Sequence, residues 1–478
     1  MTSEARQTLL ILGASGDLVG RLLLPGLGNL LASGGGEGVS LVGCDIVDGD
    51  DERWRGRVAE SFAAAGASGD RPDGVARSAR YLSADVTSEG DWRMVFDACE
   101  GSVVIYFALP PAITERACQA LTGVELPAET RLVFEKPFGH DSASAEALNQ
   151  LVTRLVPEER VFRVDHFLGT STVLNIAGLR FGNRMFEPLM STEHVESVDI
   201  VFDETLGLEG RAGYYDRAGA LVDMIQSHLL QVLSIVAMEP PSTIKAGDVR
   251  DAKAAVLRAT RVWDDDPVAN SYRARYSAGE IEGRELPSYI DEEGIPPDSA
   301  TETLAEVVLA IDTWRWAGVP FRLRSGKALS NPRQEVVVTF KQASHIPTGF
   351  TGGEEPDRLH MGIGLDAGRV TLGLNVNGPG DPRKLDPVTF DTGLAPGELR
   401  EYGEVLRSIF AGDQTLSVRG DMAAETWRII EPALEAWRDD RVPLEEYPAG
   451  GTGPAGWPLP GVSPSPPAAA AAGQRVAA

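Results

Sequence analysis

The sequence predicts a doubly wound α/β sheet followed by a larger α+β region, and three observations carry that expectation. Over roughly the first 160 residues, short apolar runs alternate with helix-like stretches. The first of these runs ends in a glycine turn that opens a helix. Beyond residue 175 the pattern changes to period-two alternation, interrupted by one long apolar helix.

Residues 8–12, TLLIL, read as a buried strand, and GASGDLVGR with LLLPGLGNLLAS reads as a turn and its helix. SLVGCD (40–45) is a second strand, and a helix runs from Asp51 to Ala65. SVVIYFALPP (102–111) and RLVFEKPFG (131–139) are two more strands with a helix between them. Strand and helix thus alternate as a parallel sheet requires. Further on, VESVDIVFDE, QEVVVTFK and RVTLGLNVNG alternate in period two and predict an antiparallel sheet, while LVDMIQSHLLQVLSIVAM has helical apolar spacing. From Ala449 the chain becomes Gly, Pro, Ser and Ala with few large apolar side chains, the composition of a disordered tail. The expected division is therefore 1–165, 166–450 and a tail at 451–478.

With 478 residues, 43% of them hydrophobic, the chain can bury a large core. Its formal net charge of -26 repels phosphate backbones and anionic membranes, and no basic patch offsets it, so neither nucleic acid nor a membrane is expected as a partner. Cys44, Cys99 and Cys118 lack metal-ligand spacing, so no metal site is expected and a reducing cytoplasm fits best. The apolar run before Gly13 is too short for a signal-peptide core or a membrane span.

Gly13-Ala14-Ser15-Gly16, followed by Asp17 and Leu18, lies between strand and helix, where small residues let backbone amides approach a pyrophosphate. It departs from GxGxxG, so Val19 or Gly20 has to act as the third small position, and a tight turn of another α/β protein is an equal reading. Ala108 and Pro110 end a later parallel strand, where open α/β sheets bind ligands, and together with the turn they favour a dinucleotide. Lys136, one of only six lysines, follows a strand directly and points to the same crevice, unless it is a surface lysine. His228 sits in an apolar helix and is either a satisfied core residue or a base. Asp165 and His166, in RVDHFLGT, either cap the next element or work together.

These segments resemble the glucose-6-phosphate dehydrogenase family. GASGDL, YFALPP, EKPFG, RVDHFLG, LRFGNRMFEP, EGRAGYYD, DMIQSHLLQVLSIVAMEPP, IDTWRWAGVPFRLRSGK and EYPAGGTGP occur in the family's order and rough spacing, from residue 9 to about 454. The resemblance implies a Rossmann-like domain followed by a larger α+β domain, in a homodimer or homotetramer. It further implies oxidation of a sugar at C1 to a lactone with NAD or NADP. On this resemblance His228 is the general base, Asp165 the carboxylate that orients it, and Lys136 a lysine near substrate and nicotinamide. Glu204 and Asp223 match acids on sugar hydroxyls, Lys327 a substrate-binding lysine and His166 a phosphate contact. A catalytically silent paralogue acting as an assembly partner is the competing expectation, and retention of Asp165, His228, Lys136 and Lys327 together speaks against it.

Two departures matter. Phe167 and Thr170 stand where the family has Tyr and Lys, and after Lys327 the stretch Ser330-Asn331-Pro332 precedes Arg333 where another basic residue is usual. A hydrogen bond to a charged group contributes about 1.5–3 kcal/mol, so two losses weaken phosphate binding by roughly two to four orders of magnitude. The expected substrate is then a sugar phosphate held weakly, or an unphosphorylated or differently substituted sugar. At the coenzyme, GCDIVDGDDER places Ile46 near the family's usual Arg, and Asp45 ends the strand. A carboxylate there accepts from ribose hydroxyls and repels a 2'-phosphate, which favours NAD slightly, with Arg21 or Arg53 as the means by which NADP would still be held.

Overall fold

The structure, a computed structural model, describes residues 6–457 apart from 211, 365–367, 379, 395–396 and the Ser171 side chain. Six parallel strands form the first sheet: β1 Gln7–Leu12, β2 Val39–Asp45, β3 Arg80–Ser83, β4 Ser102–Phe107, β5 Arg131–Phe134 and β6 Val161–Arg163, in the order β3-β2-β1-β4-β5-β6. β1 is buried along its whole length, because Leu9 and Ile11 enter the core on one face and Leu10 and Leu12 the core on the other. Burial on both faces explains why TLLIL is continuously apolar instead of alternating. The chain leaves β1 toward β2 on one side and returns to β4 on the other, so a crevice opens at the carboxyl ends of β1 and β4. β3, a short and partly exposed edge strand, is absent from the sequence expectation because RYLS carries little apolar signal.

The second region is built on an 11-stranded sheet. Its strands are β7 Val195–Asp203, β8 Thr260–Val262, β9 Ser271–Ser277, β12 Leu304–Ile311, β13 Phe321–Gly326, β14 Arg333–Phe340, β15 Thr351–Gly352, β16 Arg358–Gly362, β17 Arg369–Asn377, β18 Lys384–Gly393 and β19 Leu444–Pro448; β10 Gly279–Ile281 and β11 Arg284–Leu286 make a separate hairpin. The sheet is mixed where antiparallel pairing is the expectation: β7 pairs with β13, β9 with β19 and β15 with β18 in parallel. Period-two alternation reports one buried face and carries no information about strand direction. The apolar helix predicted over 221–238 is wound as a π-helix over Leu221–Leu229 and continues as an α-helix over Leu230–Ala237. The helical run Ala212–Ala237 is long and apolar enough to cross a bilayer, yet 83% of its most apolar stretch is buried in the protein.

The two regions interleave beyond the expected division at 165/166. Helix Glu401–Ala411 returns to the first region and packs its Tyr402, Val405, Leu406 and Ile409 into the core beneath β1. Its approach to helix Leu24–Ala32 is so close that a Cβ on Gly26 would lie 2.6 Å from Tyr402 Cβ. The first residues of the expected tail are ordered. Gly451 bridges to Leu329, and Trp457 is buried with its indole donating to Glu445 at 2.9 Å. These contacts tie 451–457 to the second sheet, and residues 458–478 of the expected tail lie outside the described residues.

Gly26→Val should therefore lower stability by about 1–3 kcal/mol through overpacking of this contact. Gly74→Ala, in helix Asp70–Ser78 with open space around its Cβ, should be neutral or stabilising by up to about 1 kcal/mol. Thermal unfolding of the two variants side by side checks both expectations.

Candidate active site

The glycine turn closes the end of β1 against the end of β4. Gly13 has φ +80, a backbone conformation that favours glycine, and a Cβ there would lie 2.4 Å from Ala108 O. The amides of Gly13 and Ala14 donate to Cys44 O at 2.9 and 3.2 Å, which ties the turn to β2. Gly13, Ser15, Gly16, Asp45, Ala108 and Pro110 line one cavity of about 410 Å³, together with Ile46, Ala84, Val86 and Thr87. The Gly16 amide donates to Gly13 O at 3.0 Å, a Cβ on Gly16 would lie 3.1 Å from that oxygen, and these small residues at a helix start let a phosphate approach the backbone. Three residues expected at the coenzyme lie off the cavity lining: Asp17, Leu18 and Lys136, the last of which stands at His228 and Asp223. Asp17 is exposed and pairs with Arg21 at 3.1 Å, and Leu18 packs against the core beneath β1. A larger cavity of about 670 Å³, between 119–130 and 151–160, lies at the opposite edge of the sheet and holds none of the predicted site residues.

Asp45 is engaged more deeply than the sequence suggests: its Oδ2 accepts from Ser15 N at 2.9 Å and Ser15 Oγ at 2.6 Å. A second cavity of about 150 Å³ lies beside Ser15 and is lined by Asp48, Arg53, Arg57 and Tyr81. Arg57 donates to Ser15 O at 2.8 Å and Gly16 O at 2.6 Å. Gly20 is the small position that admits this guanidinium, since a Cβ there would lie 2.9 Å from it. Sequence reading passed over Arg57, whose place in a surface helix gives no sign that it reaches the turn.

Five of the predicted residues converge between the ends of β5 and β6 and the π-helix. Asp165 Oδ1 accepts from Phe167 N at 3.0 Å and lies 2.6 Å from His228 Nδ1. Lys136 Nζ lies 2.6 Å from His228 Nε2 and 3.1 Å from Asp223 Oδ1. Asp165, Asp223 and His228 are buried; Asp223 is offset by the Lys136 ammonium, and Asp165 is held by donors from the Phe167 amide and His228 Nδ1. Burial pushes the Asp165 carboxyl up, but His228 and its hydrogen bond, His166 and Lys136 together outweigh burial and hold the group below the ordinary carboxylate range. Burial pushes the His228 imidazole down, the Lys136 ammonium pushes the same way, and Asp165 opposes them without reversing the result. His228 is therefore neutral at neutral pH, with its Nδ1 proton donated to Asp165 and its Nε2 lone pair accepting from the Lys136 ammonium. His166 stands edge-on to His228 at 4.9 Å, and burial, then His228, pushes it down to about 3.

Phe167 and Thr170 face inward. The Phe167 ring stacks on His228 at 4.3 Å with 19° between planes, and Thr170 Oγ1 donates to Phe167 O at 2.7 Å. Both are buried, so they brace the imidazole and the loop. Tyr214 and Ser227, both bonded in the Asp223–Lys136 cluster, were missed, although Ser227 stands four residues after Asp223 on the same helix. Tyr402, stacked on His166 at 6.1 Å and donating to Glu135 at 3.1 Å, carries no local sequence signal.

Glu204 and Lys327 form a second group. They directly follow β7 and β13, whose parallel register sets Asp203 opposite Gly326, and Lys327 Nζ lies 2.8 Å from Glu204 Oε2. The Lys327 ammonium also sits 5.4 Å from the centre of the Tyr215 ring, next to the Tyr214 that bonds Asp223. Arg333 starts β14 opposite Asp203 and pairs with Glu335 at 2.7 Å, and Glu335 bonds His360 at 2.8 Å.

A glycine turn at the switch point of a doubly wound sheet, with a carboxylate-held neutral histidine at the same edge, defines a dinucleotide-dependent oxidoreductase. Two family models match: "Glucose-6-phosphate dehydrogenase, NAD binding domain" over residues 10–175 and "Glucose-6-phosphate dehydrogenase, C-terminal domain" over 177–457. The chain belongs to the glucose-6-phosphate dehydrogenase family. It is 39% identical over 462 residues to the glucose-6-phosphate 1-dehydrogenase of Gluconobacter oxydans, covering 93% of this chain and 94% of that one. The Zymomonas mobilis enzyme of the same name is 35% identical over 468 residues, with 94% and 96% covered. Among solved structures, glucose-6-phosphate 1-dehydrogenase from Mycobacterium avium has a TM-score of 0.82 at 33% identity, covering 95% of this chain and 96% of that one. A glucose-6-phosphate dehydrogenase in complex with glucose-6-phosphate has the same score at 29% identity, with 95% and 97% covered.

The electrostatics can be read directly by NMR titration of His228. Lys136→Met removes a like charge and should move the titration to higher pH, whereas Asp165→Asn removes the opposing carboxylate and should move it lower. Shifts in the same direction for both variants would contradict this arrangement.

Proposed function

We propose that the chain oxidises glucose 6-phosphate, or a related hexose, at C1 to the lactone, with His228 as general base. The observation that carries this reading is the buried contact of Asp165 with His228 Nδ1, which leaves the Nε2 lone pair of a neutral imidazole to Lys136. His228 Nε2 takes the proton of the C1 hydroxyl while the C1 hydrogen leaves with its electron pair. Bound NAD or NADP supplies the hydride acceptor. Asp165 stabilises the imidazolium that forms. The substrate hydroxyl takes the place of Lys136 at Nε2, and Asp223 and Ser227 retain the lysine beside the reacting end. Gly13, Ser15 and Gly16 cradle the coenzyme pyrophosphate, Ala108 and Pro110 wall its cavity, and Glu204 and Lys327 hold sugar oxygens with His166 at the phosphate. Three free cysteines suit a reducing cytoplasm. The broad, half-exposed β16–β18 face, with Phe390 exposed, suits a homodimer or homotetramer.

Asp45, Asp48 and Asp50 around the end of β2, with Ile46 beside the cavity, support a preference for NAD. A second reading of the sugar, an unphosphorylated hexose, is favoured by the inward placement of Phe167 and Thr170, which leaves neither a hydroxyl nor a cation of this loop for a phosphate.

His228→Asn should reduce turnover at least about a hundredfold with coenzyme affinity little changed, the usual scale for a lost general base. Near-normal turnover would remove His228 from the mechanism. The kcat/KM ratio for NAD over NADP should exceed unity and fall in Asp45→Ala; a parent enzyme that prefers NADP would instead direct attention to Arg53 and Arg57. Phe167→Tyr combined with Thr170→Lys should raise the kcat/KM ratio of glucose 6-phosphate over glucose by at least about tenfold. A parent ratio already of several orders of magnitude, unmoved by the double change, would show that His166, Lys327 and Arg333 suffice for the phosphate.

A further inference from the structure

The helical run that carries His228 is broken at Gly219, where φ is +63 and a Cβ would lie 2.2 Å from Glu302 Oε1. The run restarts as the π-helix Leu221–Leu229, and its first amide, Leu221 N, donates to Glu302 Oε1 at 3.0 Å. Ala220 N donates to Glu302 O at 3.3 Å. Glu302 is buried and makes no ion pair among the described residues; burial pushes its carboxyl up to about 7, while the Leu221 amide at the positive end of this helix favours the charged form. A buried carboxylate without a cation is costly unless amides hold it.

The next residue reaches the other half of the site. Thr303 O accepts from Lys327 N at 2.9 Å. Thr303 Oγ1 accepts from Tyr276 N at 2.9 Å and shares a 2.9 Å bond with the Tyr447 hydroxyl, which donates to Lys327 O at 2.7 Å. Both backbone groups of Lys327 are thereby fixed, and its ammonium is delivered to Glu204. Two adjacent residues thus touch the start of the base's helix and the backbone of the lysine.

We propose that Glu302 and Tyr447 are positioning residues, the two ends of a bracket centred on Glu302–Thr303 that fixes His228 relative to Lys327. Glu302 sets the helix that presents Asp223 and His228, and Tyr447 sets the backbone of Lys327. The inference rests on the assignment of His228 as base and Lys327 as substrate contact. Small displacements of either group are amplified in rate because proton abstraction requires close alignment.

The test uses the full-length enzyme with saturating coenzyme and glucose 6-phosphate as probe. Glu302→Ala should lower kcat about tenfold or more, with the coenzyme KM within about twofold, and Glu302→Gln, which keeps an amide-accepting oxygen, should recover kcat to within about threefold of the parent. Tyr447→Phe should raise the sugar KM about fivefold or more and leave kcat within about threefold. Hydrogen exchange of the 221–229 amides gives a readout independent of turnover: it should quicken about tenfold in Glu302→Ala and return in Glu302→Gln. Should the parent fail to oxidise glucose 6-phosphate, the assigned activity falls while exchange still decides the bracket. Where Glu302→Ala does not fold, Glu302→Asp, which withdraws the oxygen by one methylene, takes its place with the same expectation. Unchanged exchange in the truncated variant, or a Gln variant as impaired as Ala, overturns the proposal.

Discussion

The site depends on one ion pair and a chain of hydrogen bonds among groups that are withdrawn from water. An isolated buried carboxylate or ammonium costs several kcal/mol, so Asp165, His228, Lys136 and Asp223 are tolerable only as a connected set. Asp165 orients the imidazole, Lys136 discourages its protonation, and Asp223 anchors the lysine. The set also joins the two regions of the chain: Lys136 and Asp165 follow strands of the parallel sheet, while Asp223 and His228 belong to the helix of the second region. The lowered His228 titration and the docking of the two regions are thus consequences of the same contacts.

Strand direction builds the remainder. In the first sheet the reversal of order at β1 and β4 opens the crevice, and the close approach of Gly13 to Ala108 shapes its floor. In the second, parallel pairing of β7 with β13 brings two strand ends to the same edge, so Glu204 and Lys327 become neighbours across 123 residues of chain. An antiparallel pairing would have placed these two ends at opposite edges. Helix Glu401–Ala411 then closes the site from behind, bringing Tyr402 against His166 and Glu135.

The aromatic at position 167 shows how a substitution in the substrate loop is absorbed. A phenyl ring stacked flat on the imidazole restricts its rotation and excludes water from that face, which favours the neutral imidazole. The Thr170 hydroxyl completes a local turn instead of reaching outward. The loop therefore braces the imidazole while offering less to an anion, and Glu204 and Lys327 are carried on the second sheet.

Much was determined by the sequence alone. Continuous apolar runs, a glycine turn and the switch to period two specify the layer architecture, because burial on one or two faces imposes those periodicities directly. Lys136, Asp165 and His228 were legible as strand-end and helix residues, and the family resemblance of the nine motifs paired them. Tertiary structure alone decided the rest. Strand direction in the second sheet, the engagement of Asp45 by Ser15, the reach of Arg57 to the turn and the arrival of Tyr402 and Glu302 all depend on contacts between distant segments. Periodicity reports only whether a side chain is buried, and the identity of what it meets is settled when the sheets and helices pack.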